Sequence, residues 1–158
     1  MSSLLEVVFE NVHKNNVIRL LMLQIAASSK VIDVQCSEDI ELMNGDELDV
    51  NALSYLLSFD GDVSALINLN DMKLNGITLP NVLLRLVKYS EQYDIDFNFD
   101  SDEVDNIDMT ILVAELHHHA KDVARDHNIA NFFCGMEPAS DEDTKYFTNE
   151  SLGPLTNR

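Results

Sequence analysis

Residues 94–100 read Asp-Ile-Asp-Phe-Asn-Phe-Asp, and no other stretch restricts the fold so tightly. Ile95, Phe97 and Phe99 alternate with Asp94, Asp96, Asn98 and Asp100. In an extended chain the apolar side chains then point one way and the polar ones the other. The segment therefore predicts a strand with one wet face, in a sheet covered by other elements on its opposite face.

The remaining elements are read around that strand. Ser3-Leu4-Leu5-Glu6 has the form of a capping box and predicts a helix with Leu5, Val8, Phe9 and Val12 on one face. The polar run 13–16 breaks it, and Val17 to Ala27, apolar almost all round, predicts a buried helix. Val31 to Cys36 reads as a strand, and Asn44-Gly45 as a type I′ hairpin turn. Asp49 caps a short helix that buries Leu53, Leu56 and Leu57, and Val63 to Leu69 is a buried strand. After a turn at Asn75-Gly76, Thr78-Leu79-Pro80 predicts a helix start, with Val82, Leu83, Leu86 and Val87 inward. Asp105 or Asp108 caps a long helix whose stripe is Met109, Leu112, Val113, Leu116, Ala120 and Val123. Phe132 to Cys134 forms a last short strand, and residues 140–147 contain one helical turn. The expected fold is α/β or α+β, a central mixed sheet of about four to six strands with helices packed on it, in one domain over residues 1–158.

Charge narrows the function. The chain has 28 acids, 10 bases and a formal net charge of −18. It is therefore expected to bind neither nucleic acid nor membrane, because both present phosphates that need lysine and arginine. A basic protein partner is favoured instead, since opposite charge accelerates encounter. The beginning of the chain shows no signal-peptide pattern and no apolar run spans a bilayer, so the chain is expected in the cytoplasm, with Cys36 and Cys134 as two buried thiols.

The acids are clustered. Ten lie between Lys30 and Lys73 and nine between Lys88 and Lys121, with no base inside either stretch. Self-repulsion there costs stability that evenly mixed charge would avoid, which points to surfaces built to meet positive charge. The first candidate is Asp94 to Asp108, with Asp94, Asp96 and Asp100 aimed outward together, joined by Asp102, Glu103 and Asp105. The second is Glu38, Asp39, Glu41, Asp46 and Glu47, and the third is Asp141, Glu142 and Asp143. Calcium is the competing reading for residues 100–105, but the loop lacks its turn glycine and closing glutamate.

No catalytic motif stands out. Glu115-Leu116-His117-His118-His119 is the one metal-like constellation, with Glu115 and His119 on one helical face and His118 and Asp122 on another. A zinc site needs further ligands and, for catalysis, an open position. The expectation is no catalytic residue, no metal and no cofactor, with a zinc-dependent hydrolase as the alternative enzyme.

Small size, acidity and the missing active site are together similar to the immunity proteins of bacterial contact-dependent and polymorphic toxin systems. The segment from Phe133 through Cys134-Gly135-Met136-Glu137-Pro138 to Tyr146-Phe147 resembles C-terminal segments of that group. The resemblance implies a small protein that binds and neutralises a toxin delivered between cells, often a basic nuclease, and it assigns no individual binding residue. A type III secretion chaperone is the alternative within the binding class.

Overall fold

The computed structural model describes residues 4–105, 107–136 and 145–149. In chain order the elements are β1 (Leu4–Glu10), α1 (Lys14–Ala26), β2 (Lys30–Cys36), β3 (Met43–Asn44), β4 (Glu47–Leu48), α2 (Val50–Leu57), β5 (Val63–Leu74), β6 (Ile77–Tyr89) and β7 (Gln92–Asp100). A 3-10 turn (Ser101–Glu103), α3 (Met109–His127), β8 (Asn131–Met136) and β9 (Lys145–Thr148) follow. Seven strands form one sheet in the order β2-β5-β6-β7-β1-β8-β9, and β3 and β4 form a separate hairpin. The class is α+β. The sheet is larger than the four to six strands expected, and it is antiparallel at every pairing, not mixed.

The alternation in β7 appears as read, with Ile95, Phe97 and Phe99 buried. Through the registers Phe97↔Leu84, Leu84↔Ile67 and Val7↔Cys134 the same face continues across the sheet. α1 and α3 pack on this face: Leu20 and Leu21 from α1 and Leu112, Leu116, Ala120 and Val123 from α3 are all buried. On the opposite face Leu66, Leu83 and Val87 stay half-exposed.

Two expected helices are strands, and Lys145–Thr148, the end of the helical turn expected over residues 140–147, is the strand β9 paired with β8, so Phe132–Cys134 does not lie in the last strand. Leu4–Glu10 forms β1, hydrogen-bonded between β7 and β8. Its five buried residues, Leu5 to Phe9, can be a strand covered on both faces as readily as one side of a helix, and Val7, Val8 and Phe9 suit a pleated surface. The polar run after it starts α1, with His13 as the cap accepting from the Asn15 amide. Residues 77–89 form β6 because Leu84, Leu86 and Lys88 alternate with Leu83, Arg85 and Val87. Pro80 is tolerated because that part of β6 pairs with β5 alone, the β7 register beginning at Leu83.

Local signals elsewhere are realised. Asp49 accepts from the amides of Asn51 and Ala52 at the start of α2, and Asp108 from that of Thr110 at the start of α3. The β3–β4 hairpin turns at Gly45-Asp46, with Gly45 at φ 66°, one residue later than expected and without the second positive φ of a type I′ turn. Met109 is 40% exposed and stands off the α3 stripe, Cys134 is buried, and Cys36 is only partly buried on the edge strand β2. Among the described residues no helix is long and apolar enough to cross a membrane.

Candidate functional surfaces

The half-exposed face of the sheet carries an ionic cluster that the sequence concealed. Arg85 on β6 contacts Asp96 on β7 at 2.8 Å and Glu6 on β1 at 3.2 Å. Asp96 is 3% exposed and Glu6 7%, so the expectation that Asp96 is displayed to a partner is corrected. The direction from alternation was right, since Asp96 does leave the apolar core face. Burial came from its neighbours across the strands, Arg85 and Val8. Burial raises its carboxyl to about 6, against the opposing pull of the Arg85 guanidinium, and Asp96 Oδ1 accepts no hydrogen bond within the described structure.

Most other acids in this first stretch have structural work. Asp94 accepts from the Asn11 amide at 2.8 Å and the Tyr89 hydroxyl at 2.7 Å, tying the end of β1 to the β6–β7 turn. Asp100 caps the 3-10 turn through the Asp102 amide, and Glu103 accepts from Asn81 at 2.6 Å. Asp102, Glu103 and Asp105 are exposed. The stretch is thus partly a folding device: alternation showed which face an aspartate takes but not what lies opposite.

The second stretch is different. Asp39, Glu41, Asp46 and Glu47 are exposed and Glu38 is partly so. Among the described residues, none of the five makes a side-chain hydrogen bond or ion pair. Their backbone is nonetheless held. Leu42 and Leu48 are buried at 2% and 8%, and the Asp49 amide donates to the Leu42 carbonyl at 2.7 Å, closing the base of the β3–β4 hairpin. A fixed scaffold thereby presents a run of carboxylates to solvent. The third candidate, Asp141, Glu142 and Asp143, lies outside the described residues.

The histidine cluster disperses. Glu115 accepts from Asn75 at 2.9 Å, His117 stacks on Phe147 at 4.3 Å, and His118 is exposed. His119 turns inward to Gln24 at 3.2 Å and meets the Phe97 ring edge-to-face with centroids 6.0 Å apart, and desolvation lowers its pKa to about 4. Among the described residues no three His, Cys, Asp or Glu side chains are grouped to hold a metal ion.

Comparison with known proteins adds a family. Residues 3–152 match the family model described as PABL017 Cdi1I immunity protein. The chain is also similar to a chain of the crystal structure described as the toxic C-terminal tip of CdiA from Pseudomonas aeruginosa in complex with immune protein. The two share 31% identity with a TM-score of 0.86, over 98% of this chain and 99% of that one. No curated protein matches.

Proposed function

The chain belongs to the PABL017 Cdi1I immunity protein family, and from that premise we propose that it neutralises its toxin by binding it through an acidic surface, without catalysis of its own. The immunity role replaces the chaperone and hydrolase alternatives. The toxin is a basic protein, a nuclease domain, met in the cytoplasm. The observation that carries this reading is the set Glu38, Asp39, Glu41, Asp46 and Glu47, carboxylates without side-chain partners among the described residues on a hairpin that the core holds in place. Their mutual repulsion destabilises the free protein and is relieved when lysines or arginines approach, so their placement favours the complex over the free state. Asp102, Glu103 and Asp105 form a second acidic edge. Asp94, Asp96 and Asp100, engaged within the fold, contribute field more than contact.

The test is co-expression with CdiA tips, followed by binding to the tip against which the protein protects. A Glu41→Gln, Asp46→Asn, Glu47→Gln variant should bind more weakly at low salt, and its affinity should depend less on salt, because the removed attraction is the one that ions screen. An Asp102→Asn, Glu103→Gln, Asp105→Asn variant should lose less. If the first variant matches the parent and the second does not, the binding face is the Asp102–Asp105 edge. If neither differs from the parent and an Asp141→Asn, Glu142→Gln, Asp143→Asn variant also matches it, the acidic-surface reading is wrong.

A further inference from the structure

The acidic hairpin borders an apolar cleft. Met22 and Ile25 of α1, Val31 of β2, Leu48 of β4 and Val50 of α2 line a depression of about 650 Å³ together with Ser28, Ser29, Lys30, Asp46 and Glu47. Val50 is 45% exposed, and Met22, Ile25 and Val31 are only half-buried. Such a chain covers its surface with carboxylates, yet here it leaves large apolar side chains in water. Exposed apolar residues grouped around a concavity mark binding surfaces more often than isolated ones do.

Resting on the reading of the chain as a toxin-binding protein, we propose that this cleft seats an apolar side chain of the toxin whose neighbouring lysine or arginine residues meet Asp46 and Glu47. Charge complementarity selects this occupant. A second copy of the chain would carry its own net charge of −18 against the acidic rim, and like charges brought together oppose docking. The rim also orients the occupant. Its basic residues belong beside Asp46 and Glu47 of the β3–β4 hairpin, where opposite charge receives them. An apolar anchor surrounded by charge pairs divides the work in the usual way of interfaces: the anchor, desolvated at the centre, governs dissociation, and the charges at the edge govern approach. The hairpin base, closed through Leu42 and Leu48, holds one wall of the cleft in place before the partner arrives, so little ordering is left for binding to impose.

The experiment measures association and dissociation rates with the CdiA tip that the protein protects against. Val50→Arg places a bulky cation in the cleft at a solvent-exposed position. Tyr55→Arg adds the same charge to α2 at a residue that is 62% exposed and does not line the cleft. Val50→Arg should weaken binding by about 30-fold or more, chiefly through faster dissociation, as loss of an interface anchor does. Tyr55→Arg should change affinity by less than about threefold, as peripheral substitutions do. Val50→Ser, which removes the methyl groups and adds no charge, should move dissociation in the same direction as Val50→Arg and supports the anchor if Val50→Arg fails to fold. Lys30→Glu should speed association. Parent-like dissociation of folded Val50→Arg, or of Val50→Ser where Val50→Arg does not fold, overturns the proposal while leaving the immunity reading intact. So does a free parent protein that is dimeric and becomes monomeric on Val50→Arg, because the cleft is then filled by a second copy. A parent that binds no tip overturns the underlying reading itself.

Discussion

Asp96 shows what a single buried carboxylate does to a protein of this charge. Its neighbour Arg85 favours the ionised form, yet desolvation prevails and holds the group near pH 6, above the ordinary aspartate value of 3.8. A folded state that takes up a proton more readily than the unfolded chain is most favoured below the unfolded value. It loses that contribution as pH rises through the folded one. Asp96 therefore destabilises the fold progressively between about pH 4 and 6, on the order of 3 kcal/mol in all. His119 acts in the opposite direction, since a histidine lowered to about 4 costs stability as pH falls from 6.5. The Asp96 contribution is isolated by comparing Asp96→Asn with the parent in urea unfolding at several pH values. The variant should gain relative to the parent as pH rises from 4 to 7. A difference that stays constant over that range would mean that Asp96 ionises as an ordinary surface carboxylate.

At the scale of elements, α3 is the cover that closes the core over β1, β5 and β8. Its inner stripe is continuous from Leu112 to Val123, and Leu116 at its centre is fully buried. Leu116→Ala removes buried methyl groups from a packed site and should cost about 2–5 kcal/mol in chemical denaturation. A loss under about 0.5 kcal/mol is the size expected of a surface position and would contradict that packing. α2 is fastened differently. The Lys88 ammonium, 3% exposed in β6, donates to the carbonyls of Leu57 and Phe59, and the Tyr93 hydroxyl donates to Leu57 as well. A cation at the end of a helix both satisfies its last carbonyls and opposes the negative end of its dipole. This lysine, which bounds an acid-only stretch in the sequence, belongs to the core and not to the surface balance of charge.

For the whole molecule, the net charge of −18 should act oppositely on folding and on binding. Salt screens self-repulsion in the free protein, so the thermal midpoint should rise as sodium chloride is increased from about 20 to about 300 mM. If the toxin is basic, as proposed above, the same salt should slow its association. Thermal unfolding and stopped-flow association over one salt series measure both. A midpoint that falls with salt would indicate that the intramolecular charges are, on balance, attractive.

The readable parts of this protein were those governed within a few residues of chain. The caps at Asp49 and Asp108, the turn at Asn75 and the two-sided pattern of Ile95, Phe97 and Phe99 each depend on local geometry, and the structure has them where the sequence put them. The net charge also needed no structure. The tertiary structure decided what pairing across distance decides. β1 and β6 are strands because sheet neighbours satisfy their backbones along their length, which outweighed a capping pattern and a proline that locally suggested helices. The β6–β7 turn was hidden because Ser90 and Glu91, not glycine or asparagine, adopt its positive φ values of 49° and 64°. The acids could not be sorted by sequence either. Whether a carboxylate faces an arginine, caps a turn or stands without a side-chain partner depends on residues brought beside it by the fold: Arg85 beside Asp96, and among the described residues none beside Asp46 and Glu47. Like the other sheet contacts, the cleft beside the hairpin is made from segments that meet only in three dimensions, so no local pattern along the chain could announce it.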